Sequence, residues 1–170
     1  MNPQNDTTQS NELVITRTVN APRELVFDCF TQADHLSKWW GPKGFEFINA
    51  TLELNPGGIF HYCMKSPDGF EMWGKFVFVE IESPERLVFV NSFSDADGAT
   101  TRAFFNPNWP LEVLNAVTFE TVGHATQITL RGGPINATEA ELAAFAEHIA
   151  SMHQGFGATF DQLDEYLTTL

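Results

Sequence analysis

Positive charge is scarce in this chain: nine Lys and Arg stand against 22 Asp and Glu, a formal net charge of −13 over 170 residues. A surface of that sign repels phosphate backbones and anionic headgroups, which excludes nucleic acid and acidic lipid surfaces as partners. Cysteine is scarce too. Cys29 and Cys63 are far apart, each in an apolar stretch, which fits buried reduced thiols better than a disulfide framework or a metal site. No apolar run reaches the roughly 18 residues of a membrane span, and no basic region followed by a hydrophobic stretch opens the chain. The expectation is a cytoplasmic protein with no membrane partner, in which the glycosylation sequons at Asn49 and Asn136 carry no weight. Gly-x-Ser-x-Gly elbows, phosphate loops, dinucleotide fingerprints and paired-cysteine motifs are all missing. His148 and His153 share an element, but at i and i+5, not at the i, i+4 spacing of zinc-binding helices. No metal and no cofactor are expected.

What the chain does have is apolar and aromatic mass. Hydrophobic residues make 43% of it, and 16 Phe, 4 Trp and 2 Tyr make 13%. That suffices for one sizeable core. Residues 1–11 are polar and read as a mobile tail, leaving a single domain over residues 12–170.

Leu13 to Val19 is rich in β-branched residues and predicts a strand, ended by Asn20-Ala21-Pro22, where Pro suits the start of a helix. Short helices are predicted over Arg23 to Thr31 and Ala33 to Lys38. Trp39 to Phe45 mixes Gly and Pro with paired tryptophans and reads as a loop with aromatic anchors. Strand signals follow at Glu46 to Leu54, Ile59 to Lys65, Trp73 to Ile81, Leu87 to Phe93, Leu111 to Val122 and Ala125 to Arg131. Turn clusters such as Asn55-Pro56-Gly57-Gly58 and Ser66-Pro67-Asp68-Gly69 separate them, and a long connection runs from Ser94 to Pro110. The result is a six-stranded meander.

Thr138-Glu139-Ala140-Glu141 is a capping box. Beyond it Leu142, Phe145, Ile149, Met152, Phe156, Phe160, Leu163 and Leu167 recur at spacings of three or four, which predicts one long helix with a continuous apolar face. Unbroken, it would be about 45 Å long and would need a curved sheet to cover its stripe. Gly155 and Gly157 are expected to mark a bend or a close approach.

Strand, two helices, six-stranded meander and long C-terminal helix together resemble the START-like superfamily: an α+β helix-grip fold, a curved antiparallel sheet wrapped around the helix. Val19-Asn20-Ala21-Pro22-Arg23-Glu24-Leu25-Val26-Phe27 and Lys38-Trp39-Trp40-Gly41-Pro42 are similar to the opening of one branch. That branch is named for the activator of the 90-kilodalton heat-shock protein ATPase. Asn55 to Gly58, Ser66 to Gly69, Glu80 to Leu87, Ser151 to Phe156 and Leu163 to Leu167 extend the resemblance over nearly the whole domain. The branch often has Trp where Phe156 stands here, and the connection from Ser94 to Pro110 is longer than in many relatives. What the resemblance implies is a domain with an apolar cavity between helix and sheet. Chaperone activation carries less weight, because the namesake is a larger protein with a further domain.

Strand alternation places Phe60, Tyr62 and Met64 on one face, with Phe76 and Phe78, Phe89 and Phe93, and Val117 and Phe119 beside them. With Met152, Phe156 and Phe160 from the helix they either fill the interior or line a ligand cavity. Trp39 and Trp40 either anchor their loop or gate such a cavity, and Trp109 is a lid or a plug. The expected function is binding of a small hydrophobic or aromatic ligand by these aromatic residues and methionines. The alternatives are a cavity-based enzyme of cyclase, aromatase or hydrolase type and a chaperone-interacting module. For the enzyme, Glu53, Glu80 or a histidine would act as acid or base. The fold also allows a homodimer.

Overall fold

The computed structural model describes residues 12–170, so the expected mobile tail over residues 1–11 lies outside the described residues. The β-branched opening forms β1 (Leu13–Val19), and α1 (Arg23–Thr31) follows Pro22, whose fixed φ of −69° prepares the first turn. After α2 (Ala33–Trp39) come β2 (Glu46–Leu52), β3 (Ile59–Lys65), β4 (Glu71–Glu82), β5 (Arg86–Ser94), β6 (Thr100–Thr101), β7 (Val113–Val122) and β8 (Ala125–Pro134). Helices α3 (Glu139–Glu147) and α4 (Ile149–Leu167) close the chain. The antiparallel sheet has the order β1-β8-β7-β5-β4-β3-β2, with the two-residue β6 added on β5. The predicted meander is therefore present, while β6 inside the long connection is additional.

Register shifts between Phe47 and Asn49 and between Phe78 and Glu80 bend the sheet. Its inner face carries Phe60, Phe76, Phe78, Phe89 and Phe119, packed with Val26, Phe30 and Trp39 from the first two helices and Phe160 and Leu163 from α4. Arg17 of β1 holds α4 from outside, donating to Asp161 at 2.5 Å and Asp164 at 2.6 Å. His35 of α2 meets the Tyr166 hydroxyl at 2.5 Å. Cys29 and Cys63 are free and buried, and burial pushes both thiols up, that of Cys29 to about 12, which disfavours the reactive thiolate.

The long C-terminal helix is present as α4, and two finer expectations about it are corrected. The predicted single helix is broken at His148 (φ −103°, ψ 7°), although no Gly or Pro stands there. In an unbroken helix the His148 amide would donate to the Ala144 carbonyl. Instead the His148 imidazole Nδ1 occupies that carbonyl at 2.8 Å, while the amide closes a tighter turn on Phe145 O at 3.1 Å. The apolar spacing passes through this break undisturbed, which is why periodicity does not register it. Gly155 and Gly157, by contrast, mark neither an interruption nor a close approach: both lie inside α4, and a Cβ at either would meet no atom within 4 Å. Among the described residues no helix is long and apolar enough to cross a membrane.

Candidate functional site

Where α4 crosses the wider end of the sheet, the interior is not filled. A cavity of about 390 Å³ remains. Its floor is Tyr62 and Met64 of β3, Met72 of β4 and Asn91, Ser92 and Phe93 of β5. Trp40, Gly41 and Pro42, after α2, form one side. The long connection supplies Phe105, Trp109 and Pro110, with Val113 at the start of β7. The roof is His148 at the helix break, then Ser151, Met152, Gly155, Phe156 and Thr159, one stripe along α4.

Of the residues singled out in the sequence, Trp40, Tyr62, Met64, Phe93, Trp109, Met152 and Phe156 line this cavity. Trp39, Phe60, Phe76, Phe78, Phe89, Phe119 and Phe160 do not: none is more than 2% exposed, so their surfaces are spent on one another. Phe76 stacks on Phe89 at 4.1 Å, and Trp39 stacks on Phe160 at 6.1 Å. The tryptophan pair thus divides its roles. Trp39 anchors the loop, its indole Nε1 donating to Cys29 O at 2.9 Å, while Trp40 faces the cavity, edge-on to Phe76 at 5.1 Å.

The Trp40 loop is held by α4. Gln162 Nε2 donates to Trp39 O at 3.0 Å and to Gly41 O at 2.8 Å, and Thr159 Oγ1 donates to Gly41 O at 3.3 Å. Gly41 has φ +102°, and a Cβ there would stand 2.4 Å from Met64 Sδ, so this position admits glycine alone. A second close approach aims Tyr62. Its cross-strand partner is Gly74, whose missing Cβ would meet the phenol oxygen at 2.6 Å. Burial pushes the Tyr62 phenol up, opposed by the polar edges of Trp40 and Asn91, which favour the phenolate. Asn91 itself donates to Lys75 O at 3.0 Å.

Some of these residues carry a signal in the sequence and others do not. Asn91 has the inward parity of Phe89 and Phe93. Met72 precedes the predicted start of its strand, because β4 begins at Glu71. His148, Ser151, Gly155 and Thr159 are polar or small and run beside the apolar stripe of the helix, so hydrophobic periodicity passes over them. Phe105 and Trp109 belong to a connection without periodicity. There Trp109 packs on Phe145 and His148, each at 5.6 Å, and on Phe105 at 5.5 Å.

Arg102 ties that connection down by donating to Trp109 O at 3.2 Å and to the carboxylate of Glu141 in the α3 capping box. The Arg102 side-chain hydrogen bond, then the Thr138 backbone amide, hold the Glu141 carboxyl below the usual carboxylate range. A depressed carboxylate contributes stability above its unfolded value, about 4.3, and the contribution is lost as pH falls through the lower folded value. Acidification below about pH 4 is therefore expected to free the connection, read as lower amide protection factors over residues 102–110 once each rate is referred to the intrinsic rate at its own pH. Arg102→Ala should show the same loss of protection already at pH 7, and unchanged protection factors in that variant would contradict the tether.

Glu53 and Glu80 stand away from the cavity. The register shift after Phe47 turns Ala50 and Leu52 inward, which leaves Glu53 exposed, and Glu80 pairs with Arg86 at 3.1 Å on the surface. His61 lies on the outer face, stacked on Trp73 at 5.0 Å. Among the described residues, no three His, Cys, Asp or Glu side chains converge as a metal site.

Comparison with known proteins agrees with this architecture. A structure from Nitrosomonas europaea superposes with a TM-score of 0.76 at 22% identity, covering 95% of this chain and 96% of that one. One from Mycobacterium smegmatis gives 0.72 at 25% identity, covering 95% and 93%. The AHSA1 protein of Silicibacter pomeroyi gives 0.67 at 17% identity, covering 93% and 98%. Comparison with the curated proteins gives no match. The family profile described as activator of Hsp90 ATPase homolog 1-like protein matches residues 20–168. With that match over most of its length, the chain belongs to this family, a branch of the START-like helix-grip proteins.

Proposed function

We propose that the protein binds a small, largely apolar molecule in the cavity between α4 and the sheet. The observation that carries this reading is the lining itself. About 390 Å³ lies within the size range of small-molecule sites, and among the described residues no Asp, Glu, Lys or Arg contributes to the walls. Trp40, Phe93, Phe105, Trp109 and Phe156 offer flat apolar surface, and Tyr62, Asn91 and His148, with the hydroxyls of Ser92, Ser151 and Thr159, provide uncharged polar groups that orient a ligand. A charged ligand would lose its hydration without finding a counter-charge, so the occupant is neutral.

Titration of intrinsic tryptophan fluorescence with a panel of neutral bicyclic aromatics tests the proposal, since Trp40 and Trp109 both line the cavity. Saturable changes at micromolar to low millimolar ligand are expected, with aromatic carboxylates of the same shape silent. Linear, non-saturating responses across the whole panel would overturn it.

A further inference from the structure

His148 brings to the cavity a polar group whose hydrogen-bonding sense is set. Its Nδ1 lies 2.8 Å from the Ala144 carbonyl oxygen. A carbonyl oxygen only accepts, so Nδ1 carries the proton of the neutral ring and Nε2 keeps its lone pair. Trp109 stands edge-on to the imidazole at 5.6 Å and 85°, so the ring is held by the helix on one side and by the long connection on the other. Nε2 has no hydrogen-bond partner among the described residues, and it is not sealed from its surroundings as Arg23 Nε is. His148 lines the cavity, so this unpartnered acceptor belongs to a residue of its wall.

The surroundings sharpen what it would select. The Thr159 hydroxyl proton and one N–H of Asn91 Nδ2 are already committed to the backbone carbonyls of Gly41 and Lys75, and Asn91 also faces the Tyr62 phenol. Trp109 and Met152, which also line the cavity, are apolar neighbours along the chain and the helix. A wholly apolar occupant pressed against this acceptor would strip it of water and return nothing, whereas a ligand bringing an O–H or N–H would satisfy it. We infer that the cavity selects neutral aromatic molecules carrying a hydroxyl or N–H donor, given to Nε2 of His148. This rests on the proposed use of the cavity for binding and adds the polar group its ligand must bring.

Isothermal titration at pH 8 separates the two ideas with 2-naphthol, 2-methoxynaphthalene and naphthalene as probes. One hydrogen bond of about 1–1.5 kcal/mol corresponds to roughly tenfold in affinity, so 2-naphthol should bind about tenfold more tightly than its methyl ether. His148→Leu should abolish that preference by weakening 2-naphthol alone, and His148→Gln, whose carbonyl supplies an acceptor near the position of Nε2, should keep much of it. Equal affinities of the two probes for the unaltered protein, or a preference that survives in His148→Leu, would overturn the inference while leaving cavity binding in place. Failure of all three probes to bind the unaltered protein would overturn both.

Discussion

Gly155→Leu is expected to weaken binding of every cavity ligand by roughly 10- to 100-fold while raising the melting temperature. Gly155 lies in the middle of the roof stripe formed by His148, Ser151 and Thr159, and a Cβ there meets nothing within 4 Å. A leucine side chain therefore enters space a ligand would use. Displacing ligand surface worth about 1.5–3 kcal/mol of apolar burial gives the stated loss. Stability moves the other way, because glycine inside a helix costs about 0.8–1 kcal/mol relative to alanine, and leucine is nearly as good a helix former. For a domain of this size that is roughly 2–4 °C. Opposite signs in the two measurements, calorimetric titration and thermal melting, separate loss of the site from loss of the fold. Unchanged affinity would place the binding surface elsewhere.

Trp39→Ala is expected to cost about 3–5 kcal/mol, the range for deleting a fully buried aromatic side chain, and to lower the melting temperature by roughly 10 °C. Trp39 is 1% exposed, lies 4.8 Å from Phe30 and 6.1 Å from Phe160 by ring centroid, and satisfies the Cys29 carbonyl. Truncation leaves a void and an unpaired carbonyl. Trp39→Phe, which keeps most of the ring volume and loses the indole N–H, should cost about 1–2 kcal/mol. Chemical denaturation of both variants measures the difference. Trp40→Ala provides the contrast: it lines the cavity and is half-buried, so it should disturb binding more than stability. Equal destabilisation by Trp39→Ala and Trp40→Ala would contradict this division.

The two tryptophans illustrate how far residue type and spacing reach. Adjacent in the chain and alike in chemistry, they differ only in which way the backbone turns after α2, and that turn is fixed by Gly41 and by the hydrogen bonds of Gln162, 121 residues away. The strand faces behave similarly. Alternation put Phe60, Tyr62 and Met64 on the inner face, where all three are buried. It had no means of telling Tyr62, turned toward open space over Gly74, from Phe60, enclosed by Phe47 and Phe76. Glu53 is a third instance, moved to solvent by a register shift four to six residues upstream that composition does not announce.

Local patterns by themselves determined the element order, the α+β class, the capping box at Thr138 and the inward set of aromatic residues. Each depends on interactions between near neighbours in the chain or on the simple periods of helix and strand. Tertiary structure alone decided where the interior stays empty. A cavity is the difference between the volume that the sheet's curvature encloses and the volume that side chains fill, and both depend on contacts far apart in sequence. The break at His148 comes from a side chain competing with its own amide for one carbonyl, a contest that the apolar spacing does not record. That break brings to the cavity the imidazole which the sequence had shown only as one of five scattered histidines.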